Sequence, residues 1–197
     1  MIAGGQAVRY GGTPKGLLEV GGRRILDRVT GALTDALGAP PALIANAPDA
    51  TGWVPGLAVV PDVVPGIGSL GGILTAVETL GPVVCVAWDL PFVPAALLRT
   101  LAAGLASADA VLPESGSRRG VEPLCAAYGP ACAPAIRAAL ARGDRRAVGF
   151  HRDIRMTRLP AAEVLMYGDP GVLFFNVNTP EDLLHAEALC PGHDSPR

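Results

Sequence analysis

Val83-Val84-Cys85-Val86-Ala87 is apolar at every position. A strand of that kind has no face to give to water, so both of its faces must be covered. Helices on the two sides of a mostly parallel central sheet do this, and a three-layer α/β sandwich of Rossmann-like layering is the fold expected. The run ends at Trp88-Asp89-Leu90-Pro91. A carboxylate placed there leaves the core at the carboxyl end of a strand, where such sheets bind their ligands.

The rest of the chain alternates in the same sense. Ile25, Leu26, Val29, Leu33, Ala36 and Leu37 mark a helical stripe across roughly residues 23–37, stopped by Pro40-Pro41. Segments 42–45 and 57–60 read as short buried strands. A loop follows from Pro61 to Gly68, then a helix over about 70–80 with Leu70, Ile73, Leu74 and Val77 inward. Pro94 suits the first turn of a helix reaching Gly104. Strands are expected at 108–112 and 123–128, a helix at 131–142 closed by Gly143, and strands near 155–159 and 172–175. Thr179-Pro180-Glu181-Asp182 predicts the last helix, with Thr179 as N-cap, Pro180 in the first turn and two acids at the positive helix end. With 197 residues, half of them hydrophobic, one domain over 1–190 is expected, followed by a disordered polar tail at 191–197.

A net charge of −2 gives no footprint for nucleic acid, but a small anion needs only a few local cations. No apolar run is long enough to span a bilayer and no signal-peptide pattern opens the chain. Cys85, Cys125, Cys132 and Cys190 form no CxxC pair and stand at no zinc spacing with histidine. Cys85 and Cys125 lie in apolar runs and read as reduced core thiols of a cytoplasmic protein.

Those local cations stand at the N-terminus. Ile2-Ala3-Gly4-Gly5 is followed by Arg9, Gly11, Gly12, Lys15 and Gly16. Glycines let a backbone approach a polyanion closely, and Arg9 and Lys15 add charge beside exposed amides, as a nucleotide triphosphate requires. The spacing is neither G-x-G-x-x-G nor G-x-x-x-x-G-K-[ST], which sets dinucleotide dehydrogenases and P-loop NTPases aside. Asp62 stands at a second strand end, before Gly66, Gly68, Gly71 and Gly72, whose backbone can read the edge of a flat base. Asp89 can hold Mg²⁺ carried by a nucleotide, because that ion takes one or two carboxylates and fills its octahedron with phosphates and water. Asn176 and Asn178 alternate around Val177, which in a strand puts both amides on one face. Arg118-Arg119 and Arg145-Arg146 can meet the anions of a second substrate. His151, His185 and His193 form no ligand set, and Trp53 reads as loop packing.

In their order, these segments resemble the molybdenum cofactor guanylyltransferases, within the nucleotidyltransferase fold. The pieces are Ile2-Ala3-Gly4-Gly5, Arg9-x-Gly11-Gly12, Lys15-Gly16-Leu17-Leu18, Asp62, Leu70-Gly71-Gly72-Ile73, Asp89-Leu90-Pro91-Phe92, Gly143-x-Arg145-Arg146 and Asn176-Val177-Asn178-Thr179-Pro180-Glu181-Asp182-Leu183. The resemblance implies GTP and Mg²⁺ as ligands, and GMP transfer to the phosphate of molybdopterin or its molybdenum-loaded form. It implies that Ile2, Ala3 and Gly4 meet the nucleotide, Lys15 its phosphates, Asp62 the guanosine part, and Asp89 both GTP and metal. The residues themselves add Gly5 and Arg9 to the phosphate site and Gly71 to the base site. Asn176 and Asn178 would lie towards the pterin. Partners would be cofactor-biosynthesis proteins or acceptor enzymes met transiently, with the chain a monomer or weak oligomer. Ala-Gly-Gly in the first motif favours guanylyl over cytidylyl transfer. Transfer of CMP or GMP to another phosphorylated acceptor, or nucleotide binding without turnover, are the other readings.

The sequence departs from that family at several places. Only Met1 precedes Ile2, so a shortened first strand is expected. Tyr10 replaces a methionine, Pro14 stands where Asp precedes the lysine, and Trp88 fills a position that is small in the family. Of an Asn-x-Asn segment, only Ile44-Ala45-Asn46 remains.

Overall fold

A computed structural model describes residues 1–3 and 14–190. A hairpin, β1 (Glu19–Val20) and β2 (Arg23–Arg24), turns through Gly21 and Gly22, both with positive φ (57° and 67°), as a tight two-residue turn requires. Helix α1 (Ile25–Leu37) follows, so Arg23 and Arg24 are strand residues rather than the helix start. Gly38, at φ 74°, ends it and donates to the Thr34 carbonyl. Next come β3 (Leu43–Ile44), β4 (Val59–Val60), α2 (Ser69–Leu80), β5 (Val83–Val86), α3 (Ala95–Gly104), β6 (Ala110–Pro113), β7 (Cys125–Tyr128), α4 (Cys132–Ala141) and β8 (Met156–Leu159). Short helices α5 (Ala161–Val164) and α6 (Pro170–Leu173) lead to α7 (Pro180–Leu189).

Met1–Ala3 is the seam of the sheet. Ile2 bridges in parallel to Ile44 on one side and Ala87 on the other. Its amide donates to the Val86 carbonyl at 2.8 Å, and the Ala3 amide to the Ile44 carbonyl at 2.9 Å. These contacts join the parallel β3–β4 pair to a sheet in the order β5, β7, β6, β8. There β7 runs antiparallel to both neighbours while β6 and β8 are parallel. The sheet is mostly parallel with one reversed strand.

The pleat sorts side chains into two buried clusters. Val84, Val86, Val111, Cys125 and Ala127 join Leu26, Leu33, Leu97 and Leu101 of α1 and α3. Cys85, Ala110, Leu112, Ala126 and Tyr128 face Leu70, Ile73, Leu74 and Ile136 of α2 and α4. This is the period of two that a strand buried on both faces imposes. Among the described residues, no helix is long and apolar enough to cross a membrane.

The strand expected at 172–175 is instead α6. The Asp169 carboxylate accepts the Gly171 amide at 2.7 Å and Pro170 occupies the first turn, so a capped helix competes successfully with an apolar extended run. At α7 the expected signal forms a full capping box, with the Asp182 amide donating to the Thr179 hydroxyl and the Asp182 carboxylate accepting the Thr179 amide. Thr179→Ala should cost about 1 kcal/mol of stability in a chemical-denaturation curve. An unchanged midpoint would mean that the box adds nothing beyond local geometry.

Candidate active site

The carboxyl ends of the seam and of β5 emerge together, because the Trp88 amide donates to the Ile2 carbonyl at 3.1 Å. Ile2 and Ala3 therefore lie beside Asp89. Gly4, Gly5, Arg9, Gly11 and Gly12, and the tail at 191–197, fall outside the described residues. From Pro14 the chain forms a 3₁₀ turn over Lys15–Leu17, closed by the Leu17 amide on the Pro14 carbonyl at 2.9 Å. The Lys15 ammonium donates to Asn178 Oδ1 at 2.7 Å. The amide of the neighbouring Val177 donates to the Asp89 carbonyl at 3.1 Å, and that of Asn178 to Asp182 at 2.8 Å. Three segments far apart in sequence thus meet at one place. Burial pushes the Asp89 carboxyl above its ordinary range, opposed by the positive charge of Lys15. The helix α3 is capped by Pro94, so capping does not account for Asp89.

Asn176, Val177 and Asn178 belong to no strand, yet Val177 is buried between two exposed asparagines, and the expected alternation holds. Only Asn178 reaches Lys15. Asn176 turns its amide back onto the Phe174 carbonyl at 3.1 Å.

A second cluster forms at the end of β4. Asn46 and Asp62 grip each other twice: Asn46 Nδ2 donates to Asp62 Oδ2 at 2.7 Å, and the Asp62 amide to Asn46 Oδ1 at 2.8 Å. Thr75, fully buried on α2, accepts the Val63 amide at 3.0 Å and donates to the Gly71 carbonyl at 2.8 Å, with its hydroxyl 3.4 Å from Asp62 Oδ1. Neither partner of Asp62 stood out in the sequence. The surviving asparagine after β3 was the available signal for one, and a threonine amid an apolar helix face for the other. The four glycines behind Asp62 divide by role. Gly66 and Gly68 have positive φ (77° and 75°) and open space where a side chain would go. Gly71 and Gly72 are packed inside α2, where a Cβ would come within 3.0 Å of Ile67 and 2.8 Å of Ile2 respectively.

The remaining candidates stay apart. Arg118, Arg119 and Arg145 are exposed, and Arg146 is spent on the Asp144 carboxylate at 2.7 Å. His151 is half-buried, edge-on to Phe150, and desolvation lowers its pKa to about 4. His185 packs edge-on against Phe175. All four cysteines are free and buried, and desolvation lifts Cys85 and Cys132 to about 12, so neither is a thiolate near neutrality. A cavity of about 730 Å³ lies at the opposite end of the sheet. Its lining, including Met1, Leu33, Leu57, Val84 and Leu105, carries no cationic side chain and cannot serve a triphosphate.

Among the described residues, no three of His, Cys, Asp or Glu gather in a way that could cage a metal. One half-buried carboxylate is nevertheless enough protein ligand for a nucleotide-borne Mg²⁺, since phosphates and water complete its shell. The donor set fits that ion and not a resident all-protein site.

Residues 1–156 match the model of the MobA-like NTP transferase domain. The molybdenum cofactor guanylyltransferase of Nitrobacter hamburgensis is 35% identical over 199 residues, covering 96% of this chain and 92% of that one. The molybdenum cofactor guanylyltransferase of Desulfosudis oleivorans is 31% identical over 192 residues, covering 95% and 93%. Among solved structures, molybdopterin-guanine dinucleotide biosynthesis protein A of Archaeoglobus fulgidus superposes with a TM-score of 0.78 at 25% identity, covering 96% of each chain. With its seam, its Lys15–Asn178 closure and Asp89 at the end of β5, the chain belongs to the MobA-like NTP transferase family.

Proposed function

We propose that this nucleotidyltransferase moves GMP from GTP to the terminal phosphate of molybdopterin or its molybdenum-loaded form, with Asp89, Lys15 and Asn178 at the reacting end. The observation that carries the reading is the Lys15 ammonium 2.7 Å from Asn178, within the electrostatic reach of Asp89. A cation so placed can follow charge from the triphosphate to the acceptor.

The acceptor phosphate carries charge near neutrality, its second ionisation lying near about pH 6, so no general base is required. One of its oxygens forms a bond to the α-phosphorus of GTP as the bond from that phosphorus to the α,β-bridging oxygen breaks. The electron pair leaves with pyrophosphate. Lys15 neutralises part of the triphosphate charge, and Asp89 would hold Mg²⁺ when the nucleotide brings it. That ion supplies charge neutralisation at the phosphates. The rest is positioning: Asn178 orients Lys15, and the Val177 amide fixes the backbone of Asp89.

Asp62 is the proposed contact for the guanosine part, with Asn46 holding its carboxylate. Asn46→Ala removes a charge-assisted hydrogen bond of about 1.5–3 kcal/mol. The KM for GTP should rise at least about tenfold with kcat nearly unchanged, since each loss of about 1.4 kcal/mol is a factor of ten. A fall in kcat at constant KM would place Asn46 elsewhere in the cycle.

Pyrophosphate release in the presence of Mg²⁺, molybdopterin and each nucleoside triphosphate in turn tests the whole assignment. GTP alone should support release. Equal release from CTP would overturn the base assignment, and GTP binding without release would favour a binding protein.

A further inference from the structure

We propose that Trp88 and Trp53 form a positioning platform beneath the Lys15–Gly16 turn, and so set where the phosphate-facing lysine stands. The proposal rests on the guanylyl-transfer reading and adds two residues to it. Both indoles are buried and stacked, with ring centroids 5.0 Å apart and 24° between planes. Trp53 is therefore a core stacking partner and not loop packing.

Gly16 lies against the Trp88 ring. A Cβ on Gly16 would fall 2.5 Å from Cε3 of Trp88, 3.1 Å from Cδ2 and 3.2 Å from Cζ3. Gly16 is not among the glycines with positive φ, so space and not backbone conformation demands glycine there. Trp88 also hands its amide to the Ile2 carbonyl and precedes Asp89 in the chain. One side chain thus abuts the lysine turn while its backbone sets the seam and the carboxylate. Trp53 is anchored in turn: its indole N–H donates to Asp49 at 3.1 Å, and its carbonyl accepts Arg24, which pairs with Asp27.

The test is a double-mutant cycle between Gly16→Ala and Trp88→Leu, read as kcat/KM for GTP from pyrophosphate release. With Trp88 in place, Gly16→Ala should lower kcat/KM at least about tenfold, because a misplaced charge costs that much. In the Trp88→Leu background the clashing ring atoms are gone, and the same change should cost less than about threefold. As a check independent of turnover, the conservative Trp53→Phe leaves Trp88 as the sole tryptophan of the chain. Its emission should shift when Gly16→Ala is added, and also when GTP and Mg²⁺ bind to the Trp53→Phe protein itself. Equal costs of Gly16→Ala in both backgrounds, with normal wild-type turnover, would overturn the platform alone. An emission spectrum indifferent to Gly16→Ala would also overturn it. Wild-type protein that binds no GTP and releases no pyrophosphate would overturn the transfer reading and the platform with it.

Discussion

Asp89→Ala should fold as the parent does and lose about 10²–10³-fold in GMP transfer, the usual cost of removing one positioned stabiliser of transition-state charge. The two halves of that expectation have separate causes. Asp89 stands at the end of β5, half-buried, and burial already works against its ionised form. Among the described residues its carboxylate accepts only from its own backbone and from no other side chain, so removing it breaks no side-chain pair, and the thermal midpoint should hold. Its charge, by contrast, faces the one place where Lys15 and Asn178 converge. Asp89→Asn keeps the shape and removes the charge, and should fall nearly as far as alanine. Lys15→Ala should lose activity on the same scale, with the loss in kcat and not only in KM. Purified Asp89→Ala and Lys15→Ala proteins that turned over like the parent would end the site assignment.

Much of this fold was legible because burial writes itself into residue order. The run at 83–87 has one physical solution, and the structure gives it: alternate side chains enter two different clusters. The capping box at Thr179 was equally readable, since its atoms lie within four residues of one another. What escaped had a different scale. The reversal of β7 depends on which strands neighbour it in space, and nothing within Cys125–Tyr128 encodes that. At 172–175 an apolar run looked extended because the deciding atom, the Asp169 carboxylate, lies just outside it.

The site divides along the same line. Asp62 and Asp89 were visible as acids at strand ends, and Lys15, Asn46 and Asn178 as separate residues, yet the pairings among them were not. Asn46 meets Asp62 from a different strand, and Asn178 meets Lys15 across 163 positions of sequence. Composition and spacing identify residues able to do chemistry, while the hydrogen bonds that aim them are made by the fold. Gly71 and Gly72 are the instructive case. They looked like a surface for a base, and the structure shows both filled in against neighbouring side chains.

Gly72→Val should therefore damage folding. A Cβ at this position would lie 2.8 Å from Cγ2 of Ile2, and Ile2 is only 2% exposed. Ile2 cannot yield by moving its backbone, because its amide and carbonyl are both spent on β5 and its continuation, at 2.8 Å and 3.1 Å. Nor can it yield easily by rotation, since a β-branched side chain has few rotamers. Gly72→Ala adds one atom and regains up to about 1 kcal/mol of helix propensity, which offsets much of the strain. Valine adds two more methyl groups with less of that gain, and overpacking of this kind costs about 1–3 kcal/mol. A loss near about 2 kcal/mol lowers the thermal midpoint by about 4–8 °C in a chain of this size. Because Ile2 also sets the carbonyl that receives the Trp88 amide, the KM for GTP should rise in the same variant well below its melting temperature. The steric account makes one more demand: in an Ile2→Ala background the methyl group is gone, and Gly72→Val should cost clearly less there. An equal loss of stability in both backgrounds would mean that Gly72 is glycine for some reason other than the seam it packs against.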